Sequence, residues 1–82
     1  MEDKKISILY VDDEENNLFS FKATFRLKYQ VFTAISGADA IDIVKNNPIH
    51  IIITDQRMPE MTGVEFLEEI IKINAAPMRI LL

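Results

Sequence analysis

Four short apolar runs alternate along the chain with segments in which apolar residues recur every three or four positions. The runs occupy residues 6–11, 29–34, 49–53 and 78–82. Apolar runs of this length, especially those with isoleucine and valine, are typical of strands that are buried on both faces of a sheet. We therefore predict a strand at each of the four runs.

The segment after the first run predicts a helix that is apolar on one side. Leu18, Phe21 and Phe25 recur at intervals of three and four residues, which places them on one helix face. Asp13 stands where an N-cap side chain would accept a bond from a free backbone amide, and we predict that it caps the helix. A second helix is predicted after Ser36, its candidate N-cap, and it would end at an Asn-Asn-Pro sequence.

A third helix is predicted after the third apolar run, because Thr62 and Glu65 have the spacing of a capping box. It would begin at Gly63, and its buried face would comprise Phe66, Leu67, Ile70 and Ile71. The resulting order is βαβαβαβ with short connections. This order calls for an α/β fold, a parallel sheet with helices on both faces.

Composition places the chain among small single-domain proteins. It has 82 residues, of which 49% are hydrophobic and 27% charged, and a formal net charge of −4. Negative charge argues against a nucleic-acid or anionic-membrane surface, which requires a basic patch. The chain has no cysteine, so disulfides and thiolate metal sites are excluded. The first apolar run is too short for a signal peptide or a membrane span, and we expect a cytoplasmic protein.

Three aspartates follow two of the predicted strands. Asp12 and Asp13 come after the first run, and Asp55 comes after the third. In open parallel sheets the first and third strands are usually neighbours where the strand order reverses, so we expect the three carboxylates to converge. Like charges packed together raise one another's pKa values, and a hard divalent cation such as Mg²⁺ relieves the repulsion. Carboxylates with Mg²⁺ indicate phosphoryl chemistry, with an aspartate as ligand or as covalent acceptor.

Each aspartate also has a purely structural explanation. A single aspartate at a strand end is usually a turn residue, and acidic residues at a helix start complement the helix dipole. The coincidence of three carboxylates after these two strands, with a Met58-Pro59 loop just beyond Asp55, favours the chemical explanation.

On these residues the chain resembles a receiver domain of a bacterial two-component response regulator. The resemblance rests on residues 8–14 (ILYVDDE), Asn17-Leu18, Ser36-Gly37 and residues 53–67 (ITDQRMPEMTGVEFL). It implies a flavodoxin-like sheet with the strand order 2-1-3-4-5 that is known for this family.

The resemblance also implies a role for each residue of the acidic group. Asp55 would be the phosphoacceptor, taking a phosphoryl group from the phosphohistidine of a sensor histidine kinase or a phosphotransfer protein. Asp13 would bind Mg²⁺ directly, and Asp12 directly or through water. Asp55 and the backbone carbonyl of Arg57 would complete the protein ligands, and the Arg57 side chain would tune dephosphorylation. We expect a phosphoacceptor that assists its own phosphorylation and dephosphorylation, not an enzyme.

Members of this family have five βα units, whereas the pattern here predicts three units and one more strand. We therefore expect residues 1–82 to be the N-terminal part of a receiver domain, without its fifth strand and last helices. The family's Ser/Thr and Lys, which contact the phosphoryl group, would then lie beyond Leu82, and phosphorylation would be impaired. An uncovered sheet with residues 78–82 as its edge strand predicts a homo-oligomer.

Other functions are compatible with parts of the sequence. The main alternative is a non-phosphorylated assembly or interaction fragment that oligomerises through its uncovered sheet. An aspartyl-phosphate hydrolase of another α/β family is disfavoured, because Arg57 occupies the position where a second aspartate would stand. A nucleotide-binding domain is disfavoured, because no Gly-rich loop follows the first strand.

Overall fold

The computed structural model describes residues 5–82, which form a parallel four-stranded sheet and three helices. The elements in chain order are β1 (Ile6–Val11), α1 (Glu15–Phe25), β2 (Tyr29–Ala34), α2 (Gly37–Asn46), β3 (Ile51–Thr54), α3 (Gly63–Ile73) and β4 (Met78–Leu81). The predicted βαβαβαβ order and the α/β class are confirmed. The strand order β2-β1-β3-β4 agrees with the first four strands of the flavodoxin-like arrangement.

The pairing of β1 with β3 brings the ends of these two strands to the same level. Their register joins Ile8 to Ile51 and Val11 to Thr54. The Asp55 amide continues the ladder by donating to the Val11 carbonyl at 2.9 Å. The residues that follow Val11 and Thr54 therefore leave the sheet side by side.

The two faces of the sheet are covered by different helices. Leu9 and Val11 are fully buried in a cluster with residues of α2 and α3, among them Phe66 and Ile70. Successive strand side chains alternate between faces. Tyr10 therefore points to the opposite face, where its ring contacts Phe21 of α1 with 4.6 Å between centroids.

Two of the three predicted helix starts are confirmed. Thr62 and Glu65 form the complete capping box, and α3 begins at Gly63 as predicted. Ser36 accepts a hydrogen bond from the Asp39 amide at the start of α2.

The predicted N-cap of α1 is wrong. Glu14, not Asp13, is the capping residue, and its side chain makes no capping bond. The Asp12 carboxylate instead accepts a bond from the Glu14 amide at 3.0 Å. Asp12 therefore makes the side-chain bond in the turn before α1, and the side chain of Asp13 is exposed.

Two of the predicted apolar faces are narrower than expected. Ile71 is 48% exposed, although it was predicted to lie on the buried face of α3, and Phe25, on the predicted apolar face of α1, is 37% exposed. Periodicity places both on apolar sides of their helices, but the sheet contacts only part of each side. Within residues 5–82, no helix has the length and apolar character needed to cross a membrane.

The two glycines at helix starts differ in what surrounds them. A Cβ added to Gly63 would lie 2.5 Å from the Asp55 carbonyl oxygen and 3.1 Å from the Gln56 Cα. A Cβ added to Gly37 would lie 2.6 Å from the sulfur of Met61, the mobile part of a flexible side chain. The backbone atoms of Asp55 and Gln56 cannot move aside as easily as the Met61 side chain can.

We predict that Gly63→Ala lowers the free energy of unfolding by about 2 kcal/mol more than Gly37→Ala does, because overpacking against backbone typically costs about 1–3 kcal/mol. Urea denaturation followed by circular dichroism measures the difference. Equal stability of the two variants would show that the approach of α3 to the end of β3 is not tight.

Candidate functional site

The ends of β1 and β3 bring three carboxylates together. One carboxylate oxygen from each of Asp12, Asp13 and Asp55 lies within 4.8 Å of the others. Asp12 is 2% exposed, Asp55 is half-buried and Asp13 is exposed. The predicted convergence of these aspartates is confirmed.

Asp12 is fixed in place by three hydrogen-bond donors. Its Oδ2 accepts from the Tyr10 hydroxyl at 2.8 Å and from Nδ2 of Asn17 at 3.0 Å. Its Oδ1 accepts from the Glu14 amide at 3.0 Å. Both oxygens of this buried carboxylate are therefore satisfied by the protein.

These donors decide the charge of Asp12. Burial alone would raise the pKa of its carboxyl, because it disfavours the ionised form. The bonds from the Glu14 amide, the Tyr10 hydroxyl and the Asn17 amide oppose burial and lower the pKa below the ordinary 3.8. Burial, followed by the bond to Asp12 and the nearby negative charges, raises the pKa of Tyr10 to about 12. Tyr10 is thus a neutral hydroxyl donor to an ionised carboxylate.

Asp13 and Asp55 have carboxylate oxygens that the protein does not occupy. Oδ1 of Asp55 accepts from the Gln56 amide at 2.9 Å, and no other bond within residues 5–82 reaches this carboxylate. Over the same range, no amide or hydroxyl donates a hydrogen bond to the Asp13 side chain. Two carboxylates with free lone pairs beside a third ionised carboxylate form a donor set that suits a hard divalent cation.

The loop between Asp55 and α3 is closed by hydrogen bonds between its two ends. The Gln56 carbonyl accepts from the Gly63 amide at 3.0 Å, and the Gln56 side-chain oxygen accepts from the Val64 amide at 3.0 Å. Met58 is buried beneath the loop, and Glu60 has a φ of 71°, a left-handed conformation that is costly for a residue with a Cβ. The loop is therefore held from both ends.

Arg57 lies in this loop, two residues beyond Asp55. Its side chain is exposed. Within residues 5–82 its backbone carbonyl accepts no hydrogen bond, whereas the carbonyls of Gln56 and Pro59 accept bonds from Gly63 and Met61. The Arg57 carbonyl is thus free to bind another group.

Sequence reasoning did not assign roles to Tyr10 and Asn17, which hold Asp12. For Tyr10 a signal was present, since residues two apart in a strand share a face, and Tyr10 precedes Asp12 by two. Asn17 has a similar signal, because it lies in the first turn of the helix that follows the aspartates.

Comparisons with known proteins agree with this geometry. The family model described as the response regulator receiver domain matches residues 8–82. The hydrogenase transcriptional regulatory protein HoxA of Cupriavidus necator is 39% identical over 70 residues, which cover 85% of this chain and 14% of that protein.

Two solved structures are similar over most of the chain. A response regulator receiver domain protein from Clostridium thermocellum is 33% identical with a TM-score of 0.85, covering 93% of this chain and 63% of that chain. The response regulator protein TrrA from Thermotoga maritima, crystallised in complex with Mg(2+)-BeF, is 31% identical with a TM-score of 0.85, covering 93% of this chain and 67% of that one. The chain thus spans only a small part of HoxA and roughly two thirds of these two structures.

The lowered pKa of Asp12 predicts a specific loss of stability in acid. A carboxyl whose folded pKa is below its ordinary value of 3.8 stabilises the fold above that value and loses this contribution as the pH falls through the folded pKa. Without added metal, wild-type protein should therefore lose more unfolding free energy below about pH 4 than Asp12→Asn does.

Urea denaturation at a series of pH values measures this loss. Asp42→Asn, which removes an exposed aspartate from α2, is the matched control and should keep the wild-type pH dependence. An acid limb that is equally steep in wild type and Asp12→Asn would contradict the prediction.

Proposed function

The chain belongs to the response regulator receiver domain family, and from this premise we propose that Asp55 accepts a phosphoryl group from a phosphohistidine in a cytoplasmic two-component phosphorelay. Receiver domains are regulatory, and the donor would be a sensor histidine kinase or a phosphotransfer protein. The observation that supports this proposal best is the convergence of the Asp12, Asp13 and Asp55 carboxylates within 4.8 Å.

The hydrogen bonds of Asp55 indicate which of its oxygens reacts. Oδ1 is engaged by the Gln56 amide, so Oδ2 is the nucleophile. Oδ2 would form the new O–P bond while the P–N bond of the phosphohistidine breaks. The histidine leaves with the electron pair of that bond and takes up a proton. Asp55 needs no general base, because its carboxylate is the reacting form.

Asp13, Asp55 and the Arg57 carbonyl are the groups that we propose as Mg²⁺ ligands, with Asp12 acting directly or through water. When bound, Mg²⁺ offsets the charge of the acceptor and of the phosphoryl oxygens. Mg²⁺ suits this donor set because all of its proposed ligand atoms are oxygens, including those of the Asp13 and Asp55 carboxylates. The exposed Arg57 side chain, two residues from the acceptor, would meet the solvent side of the phosphoryl group and tune its hydrolysis.

We predict that Mg²⁺ with a small phosphodonor adds the mass of one phosphoryl group to the protein, and that Asp55→Asn abolishes this addition. Mass spectrometry of the intact protein and of its peptides measures the modification and its position. Asp42→Asn, which removes an exposed carboxylate away from the site, is the matched control and should still be modified. Modification of Asp55→Asn to the wild-type level would overturn the assignment of the acceptor.

A second proposal is that copies of the chain assemble through β4. β4 is the edge of the described sheet and all four of its residues are exposed. The amides of Met78 and Leu82 donate to carbonyls beside and within β3. Alternate residues direct their backbone groups to the same side of a strand, so those of Arg79 and Leu81 point outward and can pair with another chain.

We predict that Leu81→Pro shifts the protein toward the monomer, because proline removes an outward amide without breaking the β3–β4 ladder. Ile80→Pro removes the neighbouring amide, which faces β3, and should lower stability instead. Light scattering across micromolar concentrations measures the mass, and thermal melts check the fold. A wild-type protein that is monomeric throughout this range would exclude assembly through β4.

A further inference from the structure

Tyr10 donates a hydrogen bond to Asp12 from a buried side chain. Its residue is 8% exposed, and its ring contacts Phe21 at 4.6 Å between centroids with the planes tilted by 35°. A buried tyrosine has only two side-chain torsions, and packing of the ring fixes both. The packed ring places the hydroxyl 2.8 Å from Oδ2 of Asp12.

The bonds to Asp12 come from two parts of the protein, β1 and the start of α1. Oδ1 is held by the backbone at the start of α1, through the Glu14 amide. Oδ2 is held by the tyrosine of β1 together with Asn17. Without the Tyr10 hydroxyl, only the Glu14 amide and Asn17 would oppose rotation of the carboxylate about its last torsion. Both donors lie in α1 or in the turn that precedes it.

We propose that Tyr10 is a positioning residue of the metal site, whose hydroxyl orients the Asp12 carboxylate toward an ion bound by Asp13 and Asp55. The inference rests on the proposed function, since it concerns the same acidic group. Tyr10 would not contact the ion or the phosphoryl group itself. Side chains that orient metal-binding carboxylates typically contribute 10- to 100-fold to metal affinity.

The chain offers a matched control for this role. Tyr29 lies at the other end of the same row of aromatic rings, which continues from Phe21 through Phe25. The ring of Tyr29 contacts Phe25 edge-on, and within residues 5–82 its hydroxyl makes no hydrogen bond to a carboxylate. Tyr29→Phe therefore removes a tyrosine hydroxyl from the same aromatic row without touching Asp12.

The first experiment measures the dissociation constant of Mg²⁺ by titration calorimetry. We expect Tyr10→Phe to weaken binding about 10-fold and Tyr29→Phe to leave it unchanged. Phenylalanine keeps the buried ring and its contact with Phe21, and thermal melts without metal confirm that both variants are folded. Unchanged or tighter binding in Tyr10→Phe, or an equal loss in Tyr29→Phe, would overturn the inference.

A double-mutant cycle tests whether Tyr10 acts through Asp12. In an Asp12→Asn background, Tyr10→Phe should have little further effect on Mg²⁺ affinity, because the carboxylate that it orients is gone. The same 10-fold loss in both backgrounds would mean that Tyr10 affects the site by some other route, which overturns the proposed role.

Tyrosine fluorescence gives an independent readout. The chain has two tyrosines and no tryptophan, so Tyr29→Phe protein emits from Tyr10 alone. Mg²⁺ should change this emission with the same dissociation constant as the calorimetric titration, whereas Tyr10→Phe protein should not respond. No response from Tyr10 in a protein that binds Mg²⁺ would count against the inference.

The outcome for wild type separates this inference from the function on which it rests. If wild-type protein neither binds Mg²⁺ nor is modified at Asp55, the proposed function fails and the role of Tyr10 fails with it. If wild type does both and Tyr10→Phe matches it in Mg²⁺ affinity, only the role of Tyr10 is overturned.

Discussion

Electrostatic repulsion among three carboxylates within 4.8 Å is the constraint around which this end of the sheet is built. The pairing of β1 with β3 makes the crowding unavoidable, because Val11 and Thr54 end their strands in register. The three carboxylates differ in burial and in the number of hydrogen bonds that they receive. Asp12 is buried and receives three hydrogen bonds, whereas Asp13 is exposed to solvent and Asp55 is half-buried with one free oxygen. One carboxylate is therefore part of the framework, and two remain available to a ligand.

The sequence predicted the parts of this arrangement that depend on chain order. The alternation of apolar runs and helical periods predicted the parallel sheet, and the position of Asp12 and Asp55 after the first and third strands predicted their proximity. Thr62 and Glu65 predicted the start of α3, because a capping box is a local signal with a fixed spacing.

The predictions that failed depend on contacts between elements. Asp13 is a chemically suitable N-cap. However, the Glu14 amide donates to the side chain of Asp12 instead, because Asp12 directly follows the buried end of β1. Periodicity also could not show how far the sheet extends beneath Phe25 and Ile71. Tyr10 and Asn17 lie near Asp12 in the sequence, but the pattern alone does not show that their side chains donate to its carboxylate.

The double attachment of Gln56 to α3 has a further consequence for motion. Its carbonyl and its side-chain oxygen each receive an amide from the first turn of the helix, at Gly63 and Val64. We therefore expect Gln56 and the first turn of α3 to open together in local unfolding. Opening of the loop exposes both helix amides at once. These two bonds thus couple the backbone beside Asp55 to the first turn of α3.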